Sequence, residues 1–186
     1  MRKIFLTFLV FILAASNVAS AEILRVSEMD VQKFVHSIAN TIYTDEFQNK
    51  VPLLMSNAAK IENIEMPEIG STAWACQYGL KTSAQPDGEI IFFTDNEEKV
   101  SAVKIVGYSE KSAENAGIFL FIVMKAVGLT QTDAEFLVNN LKDDEVLASS
   151  MVWSKEKNCC FLLMAGARPQ SAEGFQFMLM ASDKQN

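Results

Sequence analysis

Three strand-length segments of this chain are apolar on both sides, and that pattern narrows its possible folds more than any other feature. Side chains alternate across a β-strand, so a sheet with one wet face reads apolar, polar, apolar. Here Phe175, Phe177 and Leu179 point one way while Met178 and Met180 point the other. Phe161, Leu163 and Ala165 oppose Cys160, Leu162 and Met164, and Ile90 and Phe92 oppose Ile91 and Phe93. Helices can cover one such face; the second needs another cover, a ligand or a partner. Methionine packs adaptably and suits a permissive contact surface. The candidate ligand or partner face is therefore Met178, Met180, Cys160, Leu162 and Met164, with Trp74 and Trp153 as aromatic members that either stack on a ligand or fill core. In the plainer alternative the first helix pair covers one face and the second pair the other.

The rest of the chain supplies those helices. Val31, Phe34, Val35, Ile38, Ala39, Ile42 and Tyr43 recur at spacings of three and four, one apolar stripe behind a capping-box-like start at Ser27 and Asp30. After a loop over Asp45 to Lys50, Pro52 is suited to open a second short helix through Leu53, Leu54, Ala58 and Ile61, ended by Pro67 and Gly70. Strands are predicted at Thr72–Leu80, Glu89–Thr94 and Val100–Tyr108, joined by the turn Gln85-Pro86-Asp87-Gly88 and the polar tip Asp95 to Lys99. Short connections make them an antiparallel meander. From Ser112 to Gly128 the pattern is helical and apolar nearly all round, a central core helix with a buried strand as the competing reading. Thr130 caps a fourth helix, and strands return at Leu147–Ser154, Asn158–Ala165 and Phe175–Ala181. The fold class is α+β: a largely antiparallel sheet of about six strands with packed helices, in a pseudo-repeated α-α-β-β-β order. Residues 22–186 form a single domain, open to division into similar halves at 22–109 and 110–186. In element order this resembles the tandem helix-helix-sheet layout of secreted β-lactamase inhibitory proteins, with a different strand number per half. No residue role is carried over, because fold does not imply function.

Met1 to Ala21 reads as a cleaved signal peptide: Arg2 and Lys3, an apolar core over Ile4–Leu13, and the small-x-small end Ala19-Ser20-Ala21. The core falls short of the roughly 18 apolar residues that an anchoring helix needs. The mature chain would start at Glu22, secreted or periplasmic, with no stable membrane anchor. Losing Arg2 and Lys3 leaves fourteen basic residues against 23 acidic, a formal charge of −9. Such a surface repels nucleic-acid phosphates and anionic membranes.

Catalytic chemistry is sparse. Three cysteines are too few for a disulfide-stapled scaffold, and the neighbours Cys159 and Cys160 face opposite ways in a strand. Either one of them bridges to Cys76, with Cys76 and Cys160 as the candidate pair, or all three are buried thiols. His36, the only histidine, falls on the polar side of its helix beside Gln32, Lys33 and Asn40. No nucleophile signature, metal-ligand spacing or phosphate-cradling glycine pattern occurs, so neither a metal nor a cofactor is expected. The acidic clusters Asp95 to Glu98 and Asp143 to Glu145 lack the glycine and alternating ligands of a calcium loop. These residues point to a non-enzymatic binding domain whose partner is a protein or a second copy of itself. A carrier of an apolar small molecule or lipid is the alternative, and a cysteine-dependent hydrolase the remote one.

Overall fold

The computed structural model describes residues 23–61, 69–109, 112–141, 147–167 and 174–183. The segment Met1–Ala21 read as a signal peptide, Pro67, the acidic run Asp143–Glu145 and Pro169 lie outside them. Two short strands open the described chain, β1 (Ile23–Leu24) and β2 (Ser27–Asp30), followed by helix α1 (Val31–Ile42). Asp30 caps α1 by accepting from the Lys33 backbone N–H, and of the predicted stripe Val31, Phe34, Val35, Ile38 and Ile42 are buried, Ala39 is half-buried and Tyr43 is exposed.

The segment after α1 differs from expectation. The predicted loop is a short helix, α2 (Asp45–Lys50), capped by Thr44, and the predicted helix over Pro52–Ile61 is two strands, β3 (Leu53–Met55) and β4 (Ala59–Ile61). Pro52 thus precedes a strand instead of opening a helix. Tertiary partners decide this: β3 and β4 both pair with the next strand, and Gln48 Nε2 donates to the carbonyls of Ile42 and Leu53, fixing the turn between them.

Six long strands follow the predicted positions closely: β5 (Thr72–Leu80), β6 (Gly88–Thr94), β7 (Lys99–Gly107), β8 (Leu147–Ser154), β9 (Cys159–Ala167) and β10 (Phe175–Ser182). Helices α3 (Ala113–Ala126) and α4 (Gln131–Asn139) separate the two meanders. All pairings are antiparallel in the order β3-β5-β6-β7-β10-β9-β8. With β1, β2 and β4 the described residues form one ten-stranded sheet, not six strands, and the α-α-β-β-β repeat is broken by the short strands. The halves meet through β7 and β10, which pair from Phe175–Gly107 to Met180–Ala102 and then diverge. Into that split run β2, along β7, and β1, along β10.

All the main helices pack on one face. There α1, α3 and α4 share a core with Cys76, Tyr78, Ile90, Phe92, Ile105, Phe161, Leu163 and Leu179. The arrangement with one helix pair on each face is therefore not adopted. Helix α3 is mostly buried, although Phe121 is exposed. On the opposite face a second, smaller core contains Ile69, Ala73, Phe93, Ala102, Leu147, Met164, Met178 and Met180, with no described helix in it. Ser101 bulges out of β7 here, and its hydroxyl donates to the Ile69 carbonyl at 2.6 Å, tying Ile69 to this face.

Candidate functional site

The register gathers most of the predicted face into one patch. Met178 pairs with Met164, Met180 with Leu162, and Cys160 with Trp153, all on the side away from the helices. The patch is largely interior: Met178, Met180, Met164 and Cys160 are buried, while Leu162 and Trp153 are half-buried. Trp74 is separated from it. It pairs with Phe92 on the helix side and packs against that core, with the Lys60 ammonium 5.8 Å from its ring centroid.

The disulfide candidate is corrected by the topology. Cys76 on β5 and Cys160 on β9 lie four strands apart and on opposite faces. At about 4.8 Å per strand that is on the order of 19 Å, far beyond the roughly 7 Å that a bridge tolerates. All three thiols are free and buried. Burial pushes the Cys76 thiol up to about 12 and raises Cys159 and Cys160 as well, so each is held protonated. His36 lines a groove between α1, α2 and Lys125 that none of the cysteines borders. No Cys–His pair forms. Among the described residues no three His, Cys, Asp or Glu side chains converge as a metal site, and no helix is long and apolar enough to cross a membrane.

A cleft of about 1140 Å³ opens where β1 and β2 enter the split in the sheet, bordered by Leu24, Val26, Ile69, Val127 and Phe161 together with Lys99 and Lys157. Arg25 organises one wall. Its Nε donates to Asp95 at 2.6 Å, Nη1 to Glu28 at 3.0 Å, and Nη2 lies 2.9 Å from Glu97. Partial burial works against a charged Asp95, but hydrogen bonds from the Lys99 backbone, the Arg25 guanidinium and the Glu97 backbone hold its carboxyl below the ordinary range. The acidic hairpin tip read as a solvated turn is thus clasped to the N-terminal strands. Arg25 carried no local signal for this, because its partner lies 70 residues away.

Sequence reasoning also missed the outer edge of the sheet. The β5 edge is covered by β3 and β4, whereas β8 pairs with β9 and with no other described strand. Strand β8 reads Leu-Ala-Ser-Ser-Met-Val-Trp-Ser, with no charge, proline or glycine over eight residues. Met151 is 42% exposed, and Phe136, on the helix α4 that packs against β8, is 47% exposed. In the middle of the strand Ser150 is 6% exposed, and its hydroxyl has no hydrogen-bond partner among the described residues. The only signal in the sequence was the absence of charge between Glu145 and Lys155. Among known proteins, no family model, no curated protein and no solved structure matches this chain.

Proposed function

We propose that this is an exported, non-catalytic binding domain that works by protein–protein contact. The observation that carries the reading is the β8 end of the sheet, where the last of the described strands is uncharged on an otherwise acidic chain and carries exposed Met151 on one face, with exposed Phe136 on the helix that packs against the other. Sheet ends of this kind invite another strand unless charge, proline or a bulge blunts them. The buried, protonated thiols argue against a cysteine hydrolase, since the thiolate is the nucleophile. Export rests on Met1–Ala21. To test both parts, the full chain is expressed from its own leader and the exported product is sequenced and weighed by light scattering. The expected product starts at Glu22 and has either a mass above one chain or a stoichiometric protein partner. A strict monomer that co-purifies with nothing overturns the contact reading; retention of Met1–Ala21 overturns the cleaved leader.

The cleft beside Arg25 favours a second reading, a carrier of an amphipathic small molecule, because apolar walls and lysines meet in a volume suited to one ligand. Native mass spectrometry before and after organic extraction tests it. A mass equal to the bare chain in both spectra dismisses it.

A further inference from the structure

We infer that the outward line of helix α3 is a self-association surface, on which a second copy of this chain packs antiparallel about a two-fold axis. The inference rests on the protein-contact reading above and adds to it a surface separate from β8, with one occupant. Helix α3 is apolar nearly all round, and a helix of that kind is normally covered on every side. The sheet, α1 and α4 cover the inward and flanking sides. Glu114, Gly117, Ile118, Phe121 and Lys125, spaced by three and four, form the line that remains. Phe121 is 44% exposed, Glu114 and Lys125 are exposed, and Gly117 and Ile118 are half-buried.

Gly117 is an independent sign that something packs there. Glycine in the middle of a helix weakens it, and its usual use is to let another group come close to the backbone. A Cβ added at Gly117 would meet nothing within 4 Å. No contact among the described residues therefore requires a glycine at this position, whereas a large side chain arriving from outside fits the space. Phe121, one turn further along the same line, is such a side chain when it belongs to a second copy.

The charges select a copy as the occupant and set its direction. The line is acidic at Glu114, apolar through Ile118 and Phe121, and basic at Lys125, so it is its own complement when reversed. An isologous pair places residue i opposite residue j and j opposite i. With the axis level with Phe119 and Leu120, Phe121 of each chain sits over Gly117 and Ile118 of the other, and Glu114 of each lies beside Lys125 of the other. A parallel pair would set Glu114 against Glu114 and Lys125 against Lys125. Neither Glu114 nor Lys125 has an ion pair among the described residues, and the described lining of the His36 groove that Lys125 borders holds no carboxylate.

The test uses the full mature chain in light scattering across a micromolar concentration series. Gly117→Gln adds a helix-favouring side chain where the single chain has room and changes no charge, so at dilution its circular dichroism and melting temperature should match or exceed the wild type. The expected result is a two-chain mass for the wild type and a dimer dissociation constant raised about tenfold or more in Gly117→Gln. Direction is read by disulfide trapping, with Glu114→Cys and Lys125→Cys prepared as separate variants and mixed in oxidised glutathione. Within one chain these positions are about 16 Å apart at 1.5 Å per helical residue, too far to bridge, and the native thiols are buried. Linked dimer on a non-reducing gel is expected from the mixture and not from either variant alone. A dimer that Gly117→Gln leaves intact, or a mixture that links no better than the single variants, overturns the α3 interface while leaving protein contact standing elsewhere. A wild-type monomer that co-purifies with a different protein does the same. A monomer with no partner overturns both.

Discussion

The Arg25 cluster shows how a few charges fasten one end of the molecule. Arg25 sits between β1 and β2, and Asp95 sits in the β6–β7 turn, so their bond ties the N-terminal strands to that turn. Asp95 has a folded pKa below the ordinary aspartate value of about 3.9, and Asp30, hydrogen-bonded to the Lys33 backbone, moves the same way. A carboxyl depressed on folding contributes stability that is fully present above its unfolded pKa and is lost as pH falls through the folded one. Thermal melting is therefore expected to be flat from about pH 7 to 5 and to fall below about pH 4. Asp95→Asn should lower the neutral plateau by about 1 kcal/mol, some 2–4 °C, and flatten part of the acid fall. An unchanged acid limb in Asp95→Asn would assign that fall to other groups. The three thiols make a second residue-scale expectation: Ellman's reagent should titrate essentially none in the native protein and three per chain in denaturant. Two titratable thiols in denaturant would mean that one cysteine is already consumed, against the free thiols of this structure. Alternation in the strand had already placed Cys159 and Cys160 on opposite faces. Which face held Cys76 depended on register across four intervening pairings, and nothing local encodes that.

At the scale of single elements, local chemistry and tertiary pairing can be told apart. Thr130 has both an apolar stripe behind it and a side chain placed to accept, and the structure shows its Oγ1 taking the Asp133 N–H at 3.1 Å. Thr130→Ala is expected to cost about 1 kcal/mol in a denaturant titration, the usual loss for a helix cap. A loss below about 0.3 kcal/mol would show that tertiary packing, not the cap, holds the start of α4. The segment after Pro52 went the other way because its helix signal was weak and its partners are remote. Leu53 lies opposite Leu80 and is fully buried, and the Tyr43 hydroxyl donates to the Met55 carbonyl at 2.8 Å. Leu53→Ala should therefore cost about 2–5 kcal/mol, as truncation of a core residue does. If it costs only a few tenths, β3 is a loosely held edge and not the cover of β5. Long strands and the stripe of α1 were legible because their periodicity repeats over many residues. Strands of three residues, β3 and β4, carry too little pattern to outweigh a proline read as a helix start.

For the whole molecule, the decisive feature is that the two meanders share one sheet and one helix layer. The two-sided apolar strands foretold burial on both faces, and the paired cores provide it; the assignment of helix pairs to separate faces did not follow, because α1 packs against α3 on the same side. That common layer bears on whether 22–109 and 110–186 can stand apart. Cutting between them would expose the β7 edge on one fragment and the β10 edge on the other along the register from Gly107–Phe175 to Ala102–Met180. It would also strip α3 and α4 from Cys76, Ile90 and Phe92, which belong to the same core. At roughly 25 cal/mol per Å² of apolar surface, the loss of one side of such a core exceeds the 5–15 kcal/mol by which a domain is stable. Each fragment alone is expected to show no cooperative melting transition and to aggregate through its exposed edge, whereas co-expression should restore one transition and the native circular dichroism spectrum. A cooperative melt from either fragment by itself would identify an independently folding half and make the β7–β10 seam a docking contact between two domains.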